Sequence, residues 1–113
     1  MPLTPYLIET GSGVDLHGRN DTTAAKRAVE DAIRRNSLLF LRALNLPSLD
    51  KMHVDVTIAT PNPAALDVEA VRGLLPYGVV SVRAVPGGML AETGLGGDPV
   101  LVANAAVLVS LET

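Results

Sequence analysis

The run Val100 to Leu111 is apolar at every position except Asn104 and Ser110. A segment of this length falls well short of the roughly 20 apolar residues that a membrane-crossing helix needs. Its valine-rich composition instead suits an extended strand covered on both faces. Such a strand sits either at the centre of a sheet or at a contact between subunits. The rest of the chain has to supply the cover, and its means are limited. Of 113 residues 48% are hydrophobic, yet the aromatics are only Phe40, Tyr6 and Tyr77. The core is therefore built from Val, Leu, Ile and Ala. One domain over residues 1–113 is expected at this length. With a mean hydropathy of +0.32, so short a chain struggles to hide its apolar surface alone, and a closed homo-oligomer, a trimer by preference, is the expected remedy.

Periodicity supplies the other elements. Tyr6 to Thr10 reads as a short strand that stops at Gly11-Ser12-Gly13, where glycine permits a turn. Asn20, Asp21 and Thr22 each qualify as the N-cap of a long helix, since a short oxygen-bearing side chain accepts from the unpaired amides of the first turn. Along it Ala25, Ala28, Val29, Ala32, Ile33, Leu39, Phe40 and Ala43 recur at helical spacing and form one buried stripe. The other face pairs Lys26 with Glu30, Arg27 with Asp31, Glu30 with Arg34, and Asp31 with Arg35, each four residues apart. Asn36-Ser37 kinks or interrupts the helix before Leu38 to Leu46 continues it to Pro47. His53 to Thr60 alternates polar and apolar residues as a strand covered on one face does. Leu66 to Leu75 reads as a second helix stopped by Pro76-Tyr77-Gly78, and Val79 to Val85 as a third strand. The expected fold is α/β (α+β), a β-α-β-α-β-β mixed sheet with both helices on one face. The other face is then left to meet neighbouring subunits.

Charge and composition exclude several functions. A net charge of −3, from nine Lys and Arg against twelve Asp and Glu, offers no footprint for a nucleic-acid backbone. With no cysteine, disulfides and thiolate chemistry are excluded. Met1 to Tyr6 has no charged stretch with an apolar run behind it, so no membrane association and a cytoplasmic location are expected.

Chemistry-bearing side chains concentrate between the first strand and the first helix, where ligands of α/β proteins tend to sit. Asp15, His17 and Asp21 lie within seven residues. One reading is a pocket for a small polar or anionic ligand, in which Gly11 and Gly13 allow close backbone approach and amides near Thr22 donate. The glycine spacing fits neither a dinucleotide loop nor a phosphate loop. A second reading is catalysis, with His17 moving a proton, Asp15 orienting it and Arg27 holding an anionic group. A third, a metal held by Asp15 and His17 with Asn20 or Asp21, has too few ligands to assign, and no cofactor is implied. Against all three stands the plain structural reading, in which these are turn and cap residues, Arg27 and Asp31 are a surface pair, and the whole is a scaffold without activity. Asn104, polar in an apolar strand, is expected to be a buried hydrogen-bonding anchor.

The same segment resembles the signature of the lin-zero-five-one-two (Lin0512) family of conserved uncharacterised proteins, G-x-G-x-D-x-H-G-x-D-x-T-x-A-x-x-R-A-x-x-D-A-I. The match falls on Gly11, Gly13, Asp15, His17, Gly18, Thr22, Ala24, Arg27, Ala28, Asp31, Ala32 and Ile33. Asn20 departs from it, keeping a capping oxygen but losing the charge of the motif's aspartate. The resemblance implies that Asp15, His17, Thr22, Arg27 and Asp31 matter, and assigns them no activity; Gly18 and Asn20 belong to the same candidate ligand-binding loop. In layout the chain is also similar to the trimeric chorismate mutases and the Rid fold, which bind ligands between subunits. That analogy implies a cleft that Arg83 and Arg72 could face.

Overall fold

A computed structural model describes residues 3–16, 20–35, 52–75 and 78–112. In chain order its elements are β1 (Leu3–Asp15), α1 (Asp21–Arg35), β2 (Met52–Thr60), a 3-10 turn (Pro63–Ala65), α2 (Val68–Arg72), β3 (Val79–Pro86), β4 (Met89–Ala91) and β5 (Val100–Glu112). The apolar run at the C-terminal end is the central strand. β5 pairs antiparallel with β1 on one side and with β2 on the other, and β2 pairs parallel with β3, giving the order β1-β5-β2-β3. Where β2 has ended, β4 takes its place beside Val100 to Val102.

Register and the period of two divide the sheet into faces. Met52, Val54, Val56 and Ile58 of β2 lie in register with Leu111, Val109, Val107 and Ala105 of β5. All are buried against Ala24, Ala25, Ala28, Val29 and Ala32, the inner stripe of α1. α2 packs on β3 and on α1, so both helices cover the same face. The opposite face carries Thr10 and Ser12 of β1, Asn104 and Ala106 of β5, Asp55, Thr57 and Ala59 of β2, and Ser81 and Arg83 of β3. Nothing within the described residues covers it.

Besides the short β4, which the expected order does not contain, two elements differ from the sequence expectation. β1 does not stop at Gly11 but runs through Gly11-Ser12-Gly13 to Asp15. These glycines serve the approach of α1. A Cβ on Gly13 would lie 2.1 Å from the Ala24 carbonyl oxygen and 2.3 Å from the Ala28 nitrogen; one on Gly11 would lie 2.3 Å from the Ala28 carbonyl oxygen. The alanines of α1 and the glycines of β1 let helix and strand backbones touch directly. The second helix is also shorter than Leu66 to Leu75. Asp67, held extended at φ −86°, accepts from the Ala70 amide at 3.2 Å and starts α2 there, and Gly73 ends it. The expected continuation from Asn36-Ser37 through Leu38 and Leu46 to Pro47 lies outside the described residues, as do Pro76 and Tyr77.

Candidate functional site

The segment between β1 and α1 folds into a hydrogen-bonded corner. Asp15, buried beneath α1 at the end of β1, accepts from the Asn20 amide at 2.8 Å through Oδ2. Asn20 is the N-cap. Its Oδ1 accepts from the Thr23 amide at 3.0 Å and its carbonyl from the Ala24 amide at 3.1 Å. Asp21, in the first turn and 4% exposed, accepts from the Thr60 hydroxyl at 2.5 Å and from the Asn62 amide at 3.0 Å. Thr22 Oγ1 accepts from the Asp67 amide at 2.9 Å. Three carboxylate and hydroxyl side chains thus tie the start of α1 to the end of β2 and the start of α2, near the positive end of the α1 dipole.

Farther along α1, Arg27 and Asp31 both reach the edge of β1. β1 is an edge strand, and the backbone groups of its even-numbered residues turn away from β5. Arg27 Nη1 donates to the Val14 carbonyl at 2.5 Å, and Asp31 Oδ2 accepts from the Ser12 amide at 3.0 Å. One donor and one acceptor of the open edge are closed by side chains from the helix lying over it. This protects the edge against pairing with another chain.

On the uncovered face lies a depression of about 330 Å³ lined by Thr10, Gly11, Ser12, Thr57, Ala59, Asn104, Ala105 and Ala106. The register sets Ser12, Asn104 and Ala59 in one row across three strands, and Thr10, Ala106, Thr57 and Arg83 in the next across four. Ser12 Oγ donates to Asn104 Oδ1 at 2.9 Å, and Arg83 Nε donates to Thr57 Oγ1 at 3.2 Å. Asn104 is therefore an exposed wall of the depression and not a buried anchor. Small residues create the hollow. Alanines at 59 and 106 leave space where larger neighbours such as Leu108 would fill it.

The sequence profile of a family described as "Conserved hypothetical protein (Lin0512_fam)" matches residues 5–109. The chain belongs to the Lin0512 family. A crystal structure described as an FtsZ-like protein of unknown function from Nostoc punctiforme is similar to this Lin0512 protein along its whole length. The two are 35% identical, with a TM-score of 0.85 over 100% of this chain and 99% of the other. No curated protein matches.

Set against the signature, the structure separates what the sequence groups together. Gly11 and Gly13 seat α1; Asp15 and Asn20 shape the corner; Thr22 anchors α2; Arg27 and Asp31 close the β1 edge. His17 and Gly18 lie outside the described residues. Asp15 faces the helix side, so it and the depression are on opposite faces of the sheet. Among the described residues no group of three His, Asp or Glu is placed to hold a metal, and no helix is long and apolar enough to cross a membrane. Arg72 is on α2, paired with Glu69 at 3.6 Å. Of the residues around the depression, Asn104 and Arg83 stand out in the sequence, whereas Thr10, Ser12, Thr57 and Ala59 do not. The signal for Thr57 and Ala59 is the polar half of the alternation in His53 to Thr60.

Proposed function

We propose that this protein acts as a small homo-oligomeric binding domain whose working surface is the uncovered face of the sheet. A second copy covers the apolar part of that face, and the depression around Ser12, Thr57 and Asn104 becomes a pocket at the subunit boundary. The observation that carries this reading is the one-sidedness of the sheet. Every buried apolar side chain of the sheet faces the helices, while on the other side Ile8, 63% exposed, lies in register beside Leu108 and Val79, 50% exposed, stands on the far edge strand. Apolar side chains placed side by side on an open sheet mark a contact surface. The signature residues then have a supporting role. They fix α1 so that β1, which contributes Thr10 and Ser12, is held flat against β5.

Sedimentation velocity of the whole chain, with an Ile8→Lys variant beside it, tests the reading. The expected result is a wild-type oligomer that Ile8→Lys dissociates while the helical circular dichroism signal persists. A wild-type monomer at tens of micromolar, by order of magnitude for a specific interface of ordinary size, overturns it.

A further inference from the structure

The hydrogen bonds around the depression leave three donor groups at it, the Asn104 amide, the Thr57 hydroxyl and the Arg83 guanidinium, beside the hydroxyl oxygens of Ser12 and Thr10. Because Ser12 Oγ donates to Asn104 Oδ1, the acceptor end of that amide is occupied and Nδ2 is the end left for another molecule. Because Arg83 Nε donates to Thr57 Oγ1, the Thr57 hydroxyl proton is available and the guanidinium keeps its two terminal nitrogens. Arg83 is the only lysine or arginine in the five strands, and no carboxylate among the described residues lies within ion-pair distance of it. Arg83 stands at the rim of the depression, reaching it through Thr57, whereas Asp55, two residues along β2 on the same face, is engaged as acceptor by Ser81 Oγ. The floor is apolar, made by the methyl groups of Ala59 and Ala106.

We infer that the depression binds a small organic carboxylate. Its carboxylate is gripped by the Arg83 fork with Thr57 and Asn104 beside it, and its carbon skeleton lies on the alanines. The inference rests on the open face being the working surface and adds the class of ligand. A planar two-nitrogen fork matches a carboxylate bidentately, and about 330 Å³ is the low end of the volumes that hold small ligands. The alanine floor favours a molecule with a short apolar part over inorganic phosphate, which would leave it unused.

The test is calorimetric titration of the whole wild-type chain with succinate, lactate and benzoate, each against its neutral amide, and with inorganic phosphate. Native mass spectrometry on the same samples reports the assembly. At least one carboxylate should bind saturably, about tenfold or more tighter than its amide, since a charge-assisted pair is lost in the amide. Arg83→Gln should weaken that carboxylate about tenfold while the oligomer persists, and Arg83→Lys should recover part of the loss. Equal binding of acid and amide, equal binding by Arg83→Gln, preference for phosphate, or an intact oligomer that binds none of the three acids each overturns the inference and leaves the assembly reading standing. A monomeric wild type overturns the assembly reading itself.

Discussion

Replacing Gly13 with alanine adds one methyl group, which an extended strand ordinarily welcomes by about 0.5–1 kcal/mol, because glycine loses more backbone freedom on folding. Here the added Cβ would sit 2.1 Å from the Ala24 carbonyl oxygen, 2.3 Å from the Ala28 nitrogen and 2.8 Å from the Arg27 carbonyl carbon. All three are backbone atoms of α1, so no side chain can swing aside. Relieving the tightest contact requires α1 to retreat by about 1 Å, a gap that forfeits a quarter to a half of each dispersion contact across it. Overpacking of this kind costs about 1–3 kcal/mol. A helix displaced that far also loosens the two bonds from Arg27 and Asp31 to the β1 edge, at about 1 kcal/mol each. After the entropic offset the net destabilisation is about 2–4 kcal/mol. Urea unfolding followed by circular dichroism measures it, with Gly73→Ala as the control. Gly73 has φ −62°, and a Cβ there meets nothing closer than 3.6 Å. The control should therefore be neutral or stabilised by up to about 1 kcal/mol. A Gly13→Ala protein as stable as wild type would refute the direct backbone contact between β1 and α1.

The corner should respond in a graded way. Asp21→Ala removes the shared acceptor of Thr60 and Asn62 and leaves the buried Thr60 hydroxyl and the part-buried Asn62 amide without it. A loss of about 2–4 kcal/mol is expected in the same urea assay. Thr60→Val, which takes away one of those donors and leaves Asp21 the Asn62 amide, should cost less, about 1–2 kcal/mol. Asn20→Ala deletes the cap on Thr23 and should cost about 1 kcal/mol. On the open face, Asn104→Leu should fill the depression and abolish carboxylate binding in the calorimeter with the fold intact, because its side chain is exposed and supports no core contact.

The central position of β5, the one-sided helix packing and the strand at His53 to Thr60 are legible in the sequence because each rests on a hydrophobic pattern that packing then obeys. Val100 to Leu111 is apolar on both faces; Ala25, Ala28, Val29 and Ala32 repeat with the helix. The path of β1 is not legible in this way. Gly11 and Gly13 look like a turn because glycine's best-known property is conformational freedom. Their role here is the absence of a side chain, which only the position of α1 reveals. The same holds for Arg27 and Asp31. Four residues apart they read as a surface pair, and nothing local shows that an unpaired strand edge lies within their reach. The depression was harder still. It is made of residues from three strands distant in sequence, and its defining feature is the small size of Ala59 and Ala106 beside the hydroxyls of Thr10, Ser12 and Thr57. Asn104, a polar group in an apolar strand, and Arg83 are the residues around it that stand out in the sequence. Burial is the wrong explanation for Asn104 because, among the described residues, β5 is covered by helix on one face only.

In the proposed assembly the uncovered face is buried, and the absence of cysteine allows a direct measurement. A single thiol at Ala106→Cys lies in the middle of that face, between Thr10 and Thr57. A reference thiol at Glu30→Cys lies on the exposed side of α1. Alkylation rates of the two, taken in native buffer and again in urea, report whether the face is covered. The thiol at 106 is expected to react at least about tenfold more slowly than the reference in native buffer. In the Ile8→Lys background, and in urea, the two should become equal. A thiol at 106 that reacts as fast as the reference in the native wild-type background would contradict the proposed assembly.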